Sequence, residues 1–121
     1  MKDIPQKQQK RYAVQDINEI EGVRCPCGMS KRAFTEVEGG KATLHQVDIF
    51  EDARLHYHKE HTEMYYILEG NGNMELDGNI IPVHPGSVIF IQPYCRHRAL
   101  GKMKIINVSL PSFSPEDEWF D

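Results

Sequence analysis

Two histidines that are two residues apart, His56 and His58, are the residues of this chain best suited to bind a metal ion. Positions i and i+2 of a β-strand point to the same face of a sheet, so the two imidazoles can converge on one ion. Glu63 opens the next apolar run and is expected to face inward, and His97 follows a later set of short strands and turns. This spacing predicts one mononuclear metal site with three imidazoles and one carboxylate.

The predicted donor set indicates a class of metal rather than one element. Imidazole and carboxylate together suit one divalent transition metal (Fe, Mn, Ni, Zn, Co or Cu) better than Ca or Mg. A six-coordinate metal would keep two positions open beside four protein ligands, whereas a tetrahedral zinc would be filled. Ordinary hydrogen-bonded histidines are the alternative, but a carboxylate buried among imidazoles is costly without an ion.

Other polar residues near these motifs are candidates for contact with a substrate. Tyr65 and His45 each share a strand face with inward-pointing residues, so they are predicted to orient or protonate a substrate, although packing alone would also explain Tyr65. Cys95 is two residues before His97 and is either a thiol facing the site or a small core residue. His61 is out of strand phase with the histidine pair and is expected to be exposed.

The segment RCPCG, residues 24–28, is the most unusual one outside these motifs. It is either a lid, in which Arg24 and Arg32 bind an anionic substrate, or an ordinary surface turn. A zinc site that pairs Cys25 and Cys27 with histidines is disfavoured, because zinc-binding cysteines are normally separated by two or more residues. Three cysteines with this spacing predict free thiols rather than a disulfide framework.

The elements that must position these residues are short strands. Apolar runs are divided by Gly, Asn, Asp and Pro, and few segments have helical spacing, which predicts an all-β, mainly antiparallel jelly roll or barrel. At 121 residues the chain fits one domain. We expect an N-terminal arm or edge segment at residues 1–30, the barrel at 31–111 and a C-terminal tail at 112–121. In the tail, Ser114 is a candidate cap for a short helix or turn.

The run EMYYILE, residues 63–69, is apolar on both strand faces. Tyr65 and Ile67 lie on one side, and Met64, Tyr66 and Leu68 lie on the other. A strand that is apolar on both faces needs a covering layer on each, so a second subunit is predicted and the chain is expected to be a homodimer.

Charge and hydropathy exclude several kinds of partner. The formal net charge is -4 with basic residues scattered among acidic ones, so no nucleic-acid partner is expected. No apolar segment approaches the roughly 20 residues that span a bilayer, and no membrane partner is expected. The first residues lack the apolar stretch of a secretory signal, which predicts a cytoplasmic location.

The order of the motifs resembles that of the cupin superfamily. The first cupin motif is similar to His56-x-His58, four intervening residues, Glu63, six more and Gly70, and the second is similar to Gly78, Pro85-Gly86, Pro93 and His97. The resemblance extends over about residues 54–98. It departs from the family at Tyr94, where glycine is usual, and at Gly101, where asparagine is frequent.

The resemblance implies a small single-domain cupin with a double-stranded β-helix and a metal at His56, His58, Glu63 and His97. The superfamily includes dioxygenases, sugar-phosphate isomerases, decarboxylases, lyases and storage proteins, so it does not imply a substrate. The predicted function is a metal-dependent enzyme on a small oxygen-rich molecule, dioxygenase-like first and isomerase- or lyase-like second. A non-catalytic cupin that binds or senses a small ligand is the alternative.

Overall fold

The structure, a computed structural model, describes residues 11–25 and 28–121. Expectations about the first ten residues of the arm and about Cys27 therefore lie outside the described residues. Within them the chain forms strands and two single-turn 3-10 helices, Ile17–Glu19 and Pro115–Asp117. Neither helix is long or apolar enough to cross a membrane.

The strands form two antiparallel sheets. They are β1 (Val23–Cys25), β2 (Gly28–Ala33), β3 (Thr43–Ile49), β4 (Thr62–Glu69), β5 (Gly72–Leu76), β6 (Asn79–Val83), β7 (Val88–Ile91), β8 (His97–Leu100) and β9 (Met103–Leu110). The larger sheet has the order β1-β2-β3-β9-β4-β7, and the smaller has the order β6-β5-β8. The all-β jelly roll predicted from the sequence is confirmed, and the edge strand β1 lies within the segment expected to be an arm.

Alternation along β3 decides which polar side chains face the interior. Thr43, His45, Val47 and Ile49 are buried, and the residues between them are partly exposed. Directly opposite residues of antiparallel strands share a face, so this inward set continues onto the neighbouring strands. One cross-strand row runs through Arg32 on β2, His45 on β3, Asn107 on β9 and Tyr65 on β4.

Strand β4 divides the run 63–69 into an inward and an outward set. Glu63, Tyr65 and Ile67 are buried, and Ile67 packs in the core between the sheets. The outward set lies beside β7 on the outside of the larger sheet. The outer apolar surface, as we call it, consists of Met64, Tyr66, Leu68, Val88 and Phe90, which are 38–75% exposed.

The turn before β8 shows how the chain accommodates its departure from the cupin motif. Tyr94, at the position where glycine is usual, has a φ of 74°, in the left-handed region that glycine adopts without steric cost. Its backbone N–H donates to the carbonyl oxygen of His58 at 2.7 Å, and its ring stacks on Tyr57. A tyrosine here therefore keeps the glycine-type turn.

Candidate functional site

The imidazole rings of His56, His58 and His97 meet at one place between the sheets. Their ligand atoms all lie within 4.8 Å of one another. His97 begins β8, and its backbone exchanges two hydrogen bonds with His56, of 2.8 and 3.2 Å, in an isolated β-bridge. This bridge brings the two distant parts of the chain together.

Each of the three imidazoles is oriented by a backbone carbonyl group on its Nδ1 side. The contacts are Nδ1 of His56 to the oxygen of Arg54 at 2.9 Å, Nδ1 of His58 to that of Asp117 at 2.7 Å, and Nδ1 of His97 to that of Cys95 at 2.9 Å. A carbonyl oxygen only accepts, so each Nδ1 carries the hydrogen, and in the neutral ring each Nε2 presents a lone pair. Metal-binding histidines are held in this way.

The carboxylate of Glu63 lies against two of these Nε2 atoms. Its Oε1 is 3.2 Å from Nε2 of His58 and 3.1 Å from Nε2 of His97. Its Oε2 accepts a hydrogen bond of 2.9 Å from the side-chain amide of Asn107. The structure thus groups the three histidines and sets the Glu63 carboxylate against two of them, His58 and His97. It also adds Asn107, which the motif did not indicate.

The electrostatics of this cluster fit a cation. Nε2 of His58 is buried and has no hydrogen-bond partner among the described residues, because its contact with Glu63 has the distance of a hydrogen bond but not the direction. Burial would raise the pKa of Glu63, but His58 and His97 outweigh burial and hold that pKa well below its usual range. Burial would lower the pKa of His58, but the Glu63 carboxylate reverses this effect and raises it. A carboxylate facing imidazole nitrogens fits a divalent transition metal. When no metal is bound, a proton on an imidazole nitrogen offsets the charge of the carboxylate.

A second polar cluster lies behind the loop between His58 and Glu63. The exposure expected for His61 is wrong, because its side chain is buried against the C-terminal tail. Its Nε2 donates to the carbonyl oxygen of Ser112 at 3.1 Å, and its Nδ1 is 3.4 Å from Oδ2 of Asp117. His58, His61 and Asp117 have donor atoms close enough for a metal, but these contacts already hold the tail to the loop.

Asp117 is a residue of the site that sequence reasoning missed. Its carboxylate accepts backbone hydrogen bonds from Lys59, Glu60 and His61 at 2.9–3.0 Å. Burial would raise its pKa, but these donors hold that pKa below its usual range. The partners are more than 50 residues apart in the chain, and no local pattern in the sequence predicts such contacts.

A cavity of about 120 Å³ lies beside the histidine cluster. His56 belongs to the cluster and also lines the cavity. Its polar wall includes the cross-strand row of Arg32, His45, Asn107 and Tyr65. The rings of Tyr65 and His97 are 6.4 Å apart in an edge-on arrangement, so the wall adjoins the cluster. Both candidates for orienting a substrate, His45 and Tyr65, therefore line one cavity.

His45 lies in this wall as a neutral imidazole. Its Nε2 is 2.8 Å from Oγ1 of Thr43, and its ring packs edge-on against Phe113. Burial, assisted by the positive charge of Arg32, lowers the pKa of His45 to about 4. At neutral pH the ring is uncharged and can accept a proton or take part in a hydrogen bond.

The other residues predicted to contact substrate occupy different places. Arg24 is exposed on the edge strand β1 and is not among the residues that line the cavity. Cys95 precedes β8 and packs against the core, where burial raises the pKa of its thiol. Cys25 also lines the cavity, a position that was not predicted from the sequence.

Comparison with known proteins identifies similar sequences and folds. A family described as "Cupin domain" matches residues 43–102. The L-ectoine synthase of Halomonas elongata is 32% identical over 106 residues, which cover 74% of this chain and 77% of that protein.

Two solved structures extend the comparison. A protein from Planctomyces limnophilus is 40% identical, with a TM-score of 0.85 over 90% of this chain and 96% of the other. Pac13 from Streptomyces, described as a nucleoside dehydratase, is 20% identical, with a TM-score of 0.77 over 90% of this chain and 89% of the other. At 20% identity the likeness shows the fold alone.

Proposed function

The chain belongs to the cupin family, and from that premise we propose that it is a metal-dependent enzyme that acts on a small, oxygen-rich molecule. One observation carries the proposal: three imidazoles converge, and each has its Nδ1 hydrogen-bonded to a backbone carbonyl group. Histidines with only a structural role do not need to direct three Nε2 atoms to one point, whereas metal ligands do. We assign His56, His58, Glu63 and His97 as the ligands of one divalent transition metal.

The residues around this cluster have distinct roles in the proposed reaction. A bound metal would polarise a carbonyl or hydroxyl oxygen as a Lewis acid. Asn107 holds the Glu63 carboxylate in place, while the neutral ring of His45 is available to accept a proton from the substrate. Tyr65 provides a hydroxyl group on the same wall.

Elimination or isomerisation is the reaction class that we propose first. An isomerisation moves a proton from one atom of the substrate to another, and an elimination of water removes a proton from carbon and gives a proton to the departing hydroxyl group. Two candidate proton-transfer groups, His45 and Tyr65, line the cavity. The relative named L-ectoine synthase supports an enzyme rather than a storage protein. Dioxygenase chemistry is the second candidate, because three imidazoles and a carboxylate also suit iron.

Metal content tests the assignment of the ligands. Purified protein is expected to contain about one equivalent of a transition metal by elemental analysis, and His58→Ala is expected to lose most of it. His84→Ala is the matched control, because His84 is an exposed histidine whose Nδ1 donates to the carbonyl group of the neighbouring Pro85. Full occupancy in His58→Ala would show that the site is assigned wrongly.

Turnover tests the proposal that the protein is an enzyme. Metal-loaded protein is incubated with a panel of small hydroxy acids and polyols, and loss of water or isomerisation is followed by NMR and mass spectrometry. Oxygen consumption in the same samples would instead support the dioxygenase. Tight binding of a panel member without any conversion would contradict the proposal of an enzyme and would favour a ligand-binding cupin.

We also propose that the chain forms a homodimer in which the outer apolar surfaces of two copies pack against each other. Met64 is directly opposite Phe90, and Tyr66 is directly opposite Val88, so the exposed side chains form one continuous patch. Large exposed apolar patches usually mark an interface. The side chains of this patch carry no charge, so two copies with net negative charge can approach there without direct repulsion.

A further inference from the structure

The wall of the cavity contains polar atoms that have no hydrogen-bond partner among the residues that the structure describes. Oγ of Ser30, Nε of Arg32 and Oδ1 of Asn107 are each buried without a hydrogen bond to any described residue. All three residues line the same cavity, and Ser30 is only 3% exposed. Buried polar atoms are rarely left unpaired in native proteins, so three on one wall indicate a partner that enters the cavity.

The guanidinium group of Arg32 is a half-buried cation, and no described residue serves as its counter-ion. Its Cζ lies 4.9 Å from the centroid of the Phe113 ring, a contact that gives its N–H groups no hydrogen-bond acceptor oxygen. No carboxylate in residues 11–25 or 28–121 forms an ion pair with it, whereas Arg96 and Arg98 each have an acidic partner. The planar fork of a guanidinium group matches a carboxylate in two parallel hydrogen bonds.

The other two atoms define the rest of the ligand. Ser30 precedes Arg32 by two residues on β2, so its hydroxyl group points to the same side. The amide nitrogen of Asn107 already donates to Glu63, which leaves Oδ1 as an acceptor beside the metal cluster. One end of the wall therefore carries the Arg32 guanidinium group and the Ser30 hydroxyl group. The other end, nearer the proposed metal site, carries the acceptor Oδ1 of Asn107.

We propose that the cavity binds a small hydroxy or amino carboxylic acid. Arg32 and Ser30 bind its carboxylate, and its hydroxyl or amino group donates to Oδ1 of Asn107. The volume of about 120 Å³ is below that of pockets for drug-sized ligands, roughly 300–1,000 Å³, which suits a compact acid. A single guanidinium group favours a carboxylate over a phosphate ester, and Glu118 in the same lining disfavours a second carboxylate.

This inference names the substrate class and rests on the proposed function, because it concerns the same cavity. The test is calorimetric titration of the metal-loaded protein with 3-hydroxybutyrate and with its neutral amide, which differ in the carboxylate. The acid is expected to bind at least about tenfold more tightly than the amide. We expect Arg32→Gln to abolish that preference and Arg32→Lys to keep part of it.

The matched control is Lys31→Gln, which removes the same charge from the neighbouring residue on the other face of β2. It is expected to keep the preference for the acid. Ser30→Ala is expected to weaken binding of the acid more than binding of the amide, which keeps the test decisive if Arg32→Gln does not fold. Equal binding of acid and amide by the wild type, or no binding of the acid at millimolar concentration, would overturn the inference.

Metal content and turnover, measured on the same samples, separate this inference from the proposed function. If the protein contains metal and prefers the acid in a way that depends on Arg32, but shows no turnover, the proposal that the cavity binds a small carboxylic acid is supported. The proposal that the protein is an enzyme is then contradicted. Turnover by a protein that binds acid and amide equally would support the proposal that the protein is an enzyme. It would overturn the inference that its substrate is a small carboxylic acid.

Discussion

The backbone carbonyl oxygen of Asp117 lies 2.7 Å from Nδ1 of His58, 59 positions earlier in the chain. The tail that carries Asp117 is also hydrogen-bonded beside it, since the backbones of Trp119 and Tyr57 exchange two hydrogen bonds of 2.9 and 3.0 Å. A proposed metal ligand is therefore oriented by the last residues of the chain. The order of the tail and the geometry of the site should depend on each other.

This dependence predicts that Asp117→Asn weakens metal binding. The amide keeps one acceptor oxygen but turns an N–H group toward backbone N–H donors of the 59–61 loop, so the loop and His58 lose their fixed position. Loss of such outer contacts typically lowers metal affinity about 10–100-fold. A chelator competition assay measures this change, and urea unfolding should show a loss of about 1–3 kcal/mol.

Glu116→Gln is the matched control for Asp117→Asn. It removes the same charge from the same short helix, but the Glu116 side chain is exposed and forms no hydrogen bond or ion pair within the described residues. It should bind metal like the wild type. Equal affinities of the two variants would contradict a positioning role for the Asp117 carboxylate.

The lowered pKa of His45 is expected to reduce the free energy of unfolding as the pH falls. Its pKa is about 4 in the folded protein, against 6.5 for the free side chain, so protonation favours the unfolded state. This stability is fully present above pH 6.5 and is lost as pH falls from 6.5 toward 4. Between about pH 7.5 and about pH 5 the loss from His45 alone should be about 2 kcal/mol.

The measurement is the free energy of unfolding in urea of metal-free protein at those two pH values. His45→Gln should lose about 2 kcal/mol less than the wild type on acidification. Burial, together with the charge of His97, also lowers the pKa of His56 to about 4, but this contribution is common to both proteins and cancels. His84→Gln should behave like the wild type, and a His45→Gln variant with unchanged pH dependence would contradict the assignment.

Local spacing predicted the fold class and the grouping of the histidines. Strand phase is a local property, so the inward positions of His45 and Tyr65 could be predicted without tertiary contacts. Residue type and spacing made His97 a candidate for the same site, and the resemblance to a known family supported that prediction. The bridge that joins the two distant segments is visible only in the structure. That the four residues bind a metal stays a prediction.

The contacts of the C-terminal tail could not be predicted in this way. His61 appeared exposed because strand phase contains no information about a tail that folds back over the loop. Asp117 follows the candidate cap Ser114 in the short predicted helix or turn, where an acidic residue already has a sufficient local explanation. The unpaired atoms of Ser30 and Arg32 likewise become visible only when the cavity around them is known.

The outer apolar surface predicts that single charges on it will separate a dimer. Phe90→Lys places a charge in the middle of the patch, 63% exposed in the chain alone, and burying that charge against a second copy would be costly. Sedimentation at micromolar concentration should show a dimer for the wild type and a monomer for the variant. Val37→Lys, at an exposed valine outside the patch, should remain dimeric. A monomeric wild type would contradict the proposal.

Acidification predicts release of the metal before the protein unfolds. Imidazoles bind a metal only when Nε2 is unprotonated, and the Glu63 carboxylate raises the pKa of His58, so protons already compete for the site near neutral pH. Affinity should therefore fall below about pH 6.5, by about tenfold per pH unit for each proton taken up. Competition with a chelator of known proton affinity measures this change, and circular dichroism of the same samples shows whether the fold persists. An affinity that does not change from about pH 7.5 to about pH 5 would mean that no imidazole of this cluster binds the ion.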